Sequence, residues 1–289
     1  NAVTINQAFS SSSTVAITNE GLLTVADDAT ITADGGFTQD GTGAMSLGAD
    51  ITTVNNNMTI GSALTLLDDG TAGQLVTLST GSGAGAIQLA GITGGDGTNN
   101  NSLTLVSGSG TTTVSGAVTE MNALTVQASG ATGTVTFEQN LTATSLTTAA
   151  ANYALSLQGG STTISDADGV TFTNTGALTL GNNNGDTLVF TGGMTAAAPS
   201  VVNVRGTLRA AGAAQISVGD NNTGVAVSGT TLIGGVSTGG ITVAAVTLAD
   251  GAGLTIGGNT SSNVSVASIA GTDSGAVSDV TFNTAGTVT

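Results

Sequence analysis

The side chains best suited to acid–base chemistry in this chain are carboxylates, because its 289 residues include no His and no Cys. Triads based on Ser or Cys and the usual zinc sites are therefore excluded. Neighbouring acids occur at Asp27-Asp28 and Asp68-Asp69, and paired carboxylates can cleave glycosidic bonds. Such sites usually hold the sugar on aromatic rings, but Tyr153 is the single Tyr and there is no Trp. We therefore predict that the protein is not an enzyme.

Hard oxygen ligands suited to calcium lie in two short segments. Asp166 and Asp168 are followed by Gly169, and Asp96 lies between two glycines. Carboxylates in such turns can bind Ca²⁺, although neither segment matches the tandem nonapeptide calcium repeat. Asp followed by Gly is also an ordinary turn sequence, and this is the favoured interpretation. We expect no obligatory cofactor and keep Asp166, Asp168 and Asp96 as weak calcium candidates.

The charge of the chain limits its partners. There are 18 acidic residues against two cations, Arg205 and Arg209, and the formal net charge is −16. Binding to DNA or RNA requires a basic patch, and so does docking on anionic lipid. No apolar run approaches the roughly 18 residues of a membrane span. We expect no nucleic-acid partner and no membrane insertion.

A short strand-like word recurs along the whole chain. It consists of two apolar residues around a Thr, Ser or Ala, and Gly, Asn or Asp closes it. Because this alternation is so short, one copy cannot bury its apolar face alone. Neighbouring copies must therefore stack on one another. The words begin roughly 7 to 12 residues apart, so three of them would form a coil of about 20 to 30 residues. Examples are Leu64-Thr65-Leu66, Leu103-Thr104-Leu105, Leu124-Thr125-Val126, Leu178-Thr179-Leu180 and Val264-Ser265-Val266.

These words predict an all-β chain that forms one domain, residues 1–289, folded as an elongated, mostly parallel β-solenoid. An antiparallel β-sandwich of the pilin type is the alternative, because short alternating strands look alike in either topology. Residues 194–198 precede Pro199, the single proline, and are expected to form a loop or corner.

Runs of Asn mark the expected corners between strands. They occur at Asn55-Asn56-Asn57, Asn99-Asn100-Asn101, Asn182-Asn183-Asn184 and Asn221-Asn222. Asn and Gly tolerate the left-handed backbone of a sharp corner, and stacked Asn side chains can hydrogen-bond from coil to coil. A structural role is therefore favoured over contact with glycans or metals.

Thr-rich strands suggest a further alternative, since ranks of Thr on a β-solenoid bind ice in some proteins. The candidate segments are Thr111-Thr112-Thr113, Thr134-Val135-Thr136 and Thr171-Phe172-Thr173. They are not spaced as a uniform array along the sequence, and Thr is favoured in strands for other reasons.

Two phrases resemble the repeats of bacterial surface β-helix proteins, namely autotransporter passenger domains and adhesins similar to filamentous haemagglutinin. They are Gly176-Ala177-Leu178-Thr179-Leu180-Gly181-Asn182-Asn183 and Gly206-Thr207-Leu208-Arg209-Ala210. The resemblance extends over nearly the whole chain, but its motif is degenerate. It implies a right-handed parallel β-helix, an extracellular or cell-surface location, and adhesion or filament building. It assigns no catalytic residue to any position.

The expected function is that of a structural protein. The first residues, Ala2-Val3-Thr4-Ile5, and residues 280–289 both have strand-like sequences. An unpaired strand at the end of a solenoid invites pairing with another chain. These ends favour either end-to-end assembly or origin in a longer solenoid, and we predict a subunit or segment of an extracellular filament that self-associates end to end into a homopolymer. The alternatives are an adhesin stalk that binds surface glycans or other cells, and an ice-binding β-solenoid.

Overall fold

The computed structural model of the protein describes residues 2–67, 74–95, 100–128, 133–272 and 275–289. This described part of the chain is all-β and has no helix, and its parallel strands stack as a β-solenoid of about 12 turns. The predicted β-solenoid is therefore confirmed and the antiparallel sandwich is wrong. The chain divides into two compact units, Asn1–Tyr153 and Ala154–Thr289. A single domain over residues 1–289 stays a prediction.

Unit one consists of short parallel strands joined by corners, and three strands make one coil. Strands β1 to β16 are Val3–Ile5, Phe9–Ser11, Val15–Thr18, Leu23–Val25, Ile31–Ala33, Phe37–Asp40, Met45–Leu47, Ile51–Thr52, Met58–Leu66, Leu75–Ser79, Ile87–Thr93, Ser102–Val106, Thr111–Val114, Val118–Gln127, Thr134–Phe137 and Leu141–Thr148.

The coils of unit one differ in length but stay in register. Met45 pairs with Leu64, 19 residues later, whereas Met58 pairs with Ile87, 29 residues later. The extra residues lie in the corners, and the paired strands keep apolar residues beside apolar residues. Long strands such as β9 cross a corner without a break, so that β9 pairs with β6 and also with β7.

Unit two has the same construction. Its strands β17 to β29 are Ala154–Leu157, Ser161–Ile164, Val170–Thr171, Leu178–Leu180, Thr187–Phe190, Met194–Ala196, Val201–Ala210, Ile216–Val218, Gly224–Gly234, Ile241–Leu248, Gly253–Thr260, Val264–Gly271 and Asp279–Thr284.

One expectation for unit two is wrong at the residues before Pro199. Met194–Ala196 forms strand β22 rather than a loop, and it pairs with β19 on one side and β24 on the other. Met194 lies beside Val170 and Ile216, so its side chain joins a buried apolar column. Tertiary pairing therefore decides this segment, and the loop begins only at Ala197.

The core of each unit is a set of apolar columns, one residue from each coil. In unit two, for example, a column runs through Leu155, Leu178, Val202, Val225 and Val246, and each of these side chains is at most 1% exposed. Alternation within a strand points every second side chain inward. Burial of one such side chain contributes about 1.5–3 kcal/mol, so stacking of coils is the main source of stability.

A buried polar ladder crosses three coils of unit one. Gln39 is fully buried, and its Nε2 donates to Oδ1 of Asn19 at 2.6 Å. Asn19 Nδ2 donates to the carbonyl oxygen of Gly43 at 3.0 Å. Ser62 Oγ in turn donates to Gln39 Oε1 at 3.0 Å. Because the amide groups satisfy one another, they can lie inside the coil without the cost of an unpaired buried polar group.

Tyr153 is buried, with 1% of its surface exposed. Its hydroxyl donates to the carbonyl oxygen of Val126 at 3.3 Å. Burial raises the pKa of Tyr153 to about 12, although hydrogen bonds from the Ala149 backbone and the Thr148 side chain lower that pKa in part. The neutral phenol is thus the form that the folded protein favours.

The first prediction concerns the polar ladder. Replacing Gln39 with Leu leaves Asn19 Oδ1 without its buried donor, so the free energy of unfolding should fall by about 1–3 kcal/mol. Urea denaturation followed by circular dichroism measures this. Gln88→Leu is the matched control, since Gln88 lies exposed on the outer surface and its replacement should change the midpoint little. Equal losses in both variants would contradict the role of the ladder.

The second prediction concerns alkaline pH. The unfolded chain loses the Tyr153 proton at its ordinary pKa of 10, whereas the folded chain keeps it until about 12. The unfolded state therefore binds fewer protons in this window, and the free energy of unfolding should fall by about 2–3 kcal/mol as pH rises from 10 to 12. The chain has no Lys and no Cys, so neither of these side-chain types contributes to the change in this window.

Absorbance of the tyrosinate ion tests this directly, because Tyr153 is the single Tyr and there is no Trp. Tyr153→Phe is the control and should remove the fall in stability between pH 10 and 12. A folded protein whose phenol titrates near pH 10 would show that the hydroxyl is accessible to water.

Candidate functional site

Asp166 and Asp168, the calcium candidates of unit two, lie together in one turn. Asp166 Oδ1 accepts a hydrogen bond from the Asp168 backbone N–H at 3.0 Å. The Asp166 carbonyl oxygen accepts one from the N–H of Gly192, on the next coil, at 2.8 Å. Gly169 has φ +82° and packs against the backbone of Gly192 and Gly193, so a side chain there would be strained. These contacts account for the Asp and Gly residues as a structural turn.

No larger group of acidic side chains supplements this turn. Among the residues that the structure describes, no three Asp or Glu side chains come close enough to hold a metal ion. Asp96, the third calcium candidate, and the pair Asp68-Asp69 lie outside the described residues. Asp27 and Asp28 lie in an exposed corner of unit one, where Asp28 has φ 63°.

The Asn run of unit one ties successive coils together. Asn56 Nδ2 donates to the carbonyl oxygen of Asp34 on the preceding coil at 2.7 Å. Asn55 Oδ1 accepts from Gly83 N–H at 2.6 Å on the following coil, and Asn57 Oδ1 accepts from Ala86 N–H at 2.9 Å. These bonds support the structural interpretation of the run.

A second polar corner in unit two contains a buried carboxylate. Asp186 is 4% exposed, and its Oδ2 accepts the backbone N–H groups of Asn182 and Asn183, each at 2.8 Å. Asn184 Oδ1 accepts from Arg205 Nε at 2.8 Å and from Thr230 N–H at 3.1 Å. These polar groups are thus engaged in holding neighbouring coils together.

The feature that sequence reasoning missed is a rank of hydroxyl groups along the outside of unit one. Each member lies beside the next on an adjacent coil, in register, and the first four members occupy the middle position of their strand words. We call the six residues the unit-one rank: Thr4, Thr24, Ser46, Thr65, Thr93 and Thr119.

A similar rank occurs on unit two. Its members also lie side by side on consecutive coils, and Ser217 is half-buried while the others are exposed. The unit-two rank consists of Thr171, Thr195, Ser217, Thr242 and Ser265.

The Thr-rich segments found in the sequence are brought together only in part. Thr111 pairs with Thr134, and Thr113 pairs with Thr136, so two of the segments form a small array. Gln88 lies beside Thr113 and interrupts that column. Thr171 belongs instead to the unit-two rank, and Thr173 lies outside any strand.

The first coil of unit one exposes apolar side chains that are in register with the buried core. Val3 is 40% exposed and pairs with Leu23, which is fully buried. Phe9 is 36% exposed and pairs with the fully buried Ile31. Within the described chain, β1, β2 and β3 pair with β4, β5 and β6 on one side only.

The last coil of unit two has the same character. Val280 is 40% exposed beside buried Leu254, and Phe282 is 42% exposed beside buried Ile256. Val288 is 45% exposed and forms a bridge to Val264. These side chains occupy inward positions, and no coil among the described residues covers them. The expectation of a strand is confirmed at β1, and at β29 for residues 280–284, whereas residues 285–289 lie outside any strand.

Comparison with known proteins gives no relative, because no family model, no curated protein and no solved structure matches the chain. Among the described residues, no helix is long and apolar enough to cross a membrane.

The turn at Asp166 generates a prediction about calcium. Asp166→Ala removes the acceptor for the Asp168 N–H and should lower the free energy of unfolding by about 1 kcal/mol. Asp166→Asn keeps an acceptor oxygen and should preserve stability. For each of the three proteins, the midpoint of thermal unfolding should be the same with added Ca²⁺ as with a chelator. Stabilisation of the parent by Ca²⁺ that Asp166→Asn abolishes would instead establish a metal site.

Proposed function

We propose that this protein is a structural β-solenoid that associates end to end with further copies of itself. The observation that carries the proposal is the first and last described coils, which display apolar side chains in core register beside strand edges that have no partner among the described residues. A second copy placed on such an edge would extend both the hydrogen-bonded sheet and the apolar columns.

The two end coils also share a sequence pattern. Val3-Thr4-Ile5 in β1 and Val280-Thr281-Phe282 in β29 both place apolar residues at the inward positions and Thr at the outward position. Stacking β1 of one copy on β29 of another would therefore continue a column of apolar side chains and keep a hydroxyl on the outside.

The distribution of charge favours contact at these ends over contact elsewhere. The chain has a net charge of −16, yet residues 2–19 and residues 280–289 contain no charged side chain, and β29 carries one exposed acid, Asp279, at its start. Proteins commonly protect an exposed strand edge with Lys or Pro, and neither residue occurs in these segments. Residues 2–19 therefore carry no acidic side chain that would repel Asp279 on the last coil of another copy.

An extracellular or cell-surface location is part of the same proposal. Its support is the resemblance of Gly206-Thr207-Leu208-Arg209-Ala210 and similar phrases to the repeats of bacterial surface β-helix proteins. The absence of a conventional catalytic triad agrees with a structural role, since the sequence has no His and no Cys.

Sedimentation velocity and negative-stain electron microscopy over a range of concentrations test the proposal. We expect the parent chain to form larger species as its concentration rises, with unbranched fibres at the highest values. Val280→Lys combined with Phe282→Lys places two charges on the end coil and should keep the protein monomeric while its circular dichroism is unchanged.

Val236→Lys is the matched control for this experiment. Val236 is 63% exposed on unit two but lies in a corner away from the end coil, so this variant should associate like the parent. A parent chain that stays monomeric at every concentration would contradict the proposal, and so would equal loss of association in the control.

A further inference from the structure

The unit-one rank places hydroxyl groups at the repeat of the sheet itself. Adjacent parallel strands lie about 4.8 Å apart, so six members in register span about 24 Å. Irregular corner lengths do not disturb this repeat, because Met45 and Leu64 are 19 residues apart while Leu64 and Ile92 are 28 apart, yet both pairs are in register.

The rank lies at outward positions of the strands, where Thr4 and Thr119 are exposed and the other four members are half-buried. Thr119 Oγ1 donates to Thr93 Oγ1 at 3.4 Å. The side chains of Thr24, Ser46 and Thr65 form no hydrogen bond within the described residues. Five of the six members are Thr, which is β-branched and stiff at χ1. Thr24, Ser46 and Thr65 each lie between two buried residues, which fix the backbone there. The hydroxyl positions are therefore set before any ligand binds.

The chemistry of the rank selects the class of ligand. None of its members is charged, although the chain carries 18 acids, so ions and charged polymers have no counter-charge there. No aromatic side chain belongs to the rank, and Tyr153, Phe37 and Phe137 are buried, so a sugar ring has no stacking platform. A Thr side chain offers a hydroxyl, which bonds water, beside a methyl group, which orders the water around it.

We propose that the unit-one rank binds the surface of ice. Ice is a neutral lattice of water that repeats on the scale of a few ångströms, and a rigid rank of hydroxyl and methyl groups can hold an ordered layer of water that joins it. This activity does not require end-to-end association, because it uses the outward hydroxyl groups of the strands, whereas association uses the inward apolar residues and the free edge of β1.

Thermal hysteresis and inhibition of ice recrystallisation, measured on the full chain, test this proposal. We expect the parent to lower the freezing temperature of ice below its melting temperature, which gives a measurable gap between the two. An equal concentration of an unrelated acidic globular protein should give no such gap. Thr65→Lys combined with Thr93→Lys puts two hydrated charges in the middle of the rank and should reduce the gap. Thr24→Tyr, which keeps the rank neutral but disrupts its contour, should reduce it as well.

The matched control uses the same two strands. Thr59 and Gln88 pair with each other on β9 and β11 and point outward from a different face, so Thr59→Lys with Gln88→Lys should leave the gap unchanged. Circular dichroism verifies that each variant is folded. A parent without thermal hysteresis would overturn the proposal, as would an equal reduction in the control variant or no reduction in either rank variant.

Discussion

In-register parallel pairing between successive coils is the constraint on which the rest of the structure depends. The inward residue of one strand meets the inward residue of the next coil, as Leu23 meets Met45 and Met45 meets Leu64. Because side chains alternate along a strand, a shift by one residue would exchange the apolar and hydroxyl positions along the whole strand. Core columns and outward ranks are therefore two results of the same register.

Coils differ in their number of residues, and the extra residues lie in the corners because the register of the paired strands is fixed. Backbone amides in the corners meet Asn side chains on a neighbouring coil, as Gly83 and Ala86 meet Asn55 and Asn57. Elsewhere buried amides bond to each other, as Gln39 does with Asn19. Much of the polar character of this chain thus serves to join coils, and the outward hydroxyls stand apart because the protein leaves several of them unbonded.

Alternation within words such as Leu64-Thr65-Leu66 was sufficient to predict the parallel solenoid, since an apolar face so short is stable only when copies stack. The outward ranks could not be predicted from spacing, because neighbours such as Thr24 and Ser46, or Thr65 and Thr93, are separated by different numbers of residues. They could have been found by aligning the strand words with one another and comparing the residues at the middle position of each word. Met194–Ala196 was missed because its strand state depends on partners in two other coils.

The pairing distances described above also bear on how such a chain acquires its fold. Each new coil closes on its neighbour over a loop of roughly 20 to 30 residues, and the entropy of closure depends on that loop rather than on the total length of the chain. Folding can then begin at any coil and advance one turn at a time along the sequence. A nascent chain that emerges from one end could fold in the order of its emergence, without waiting for residues that have yet to appear.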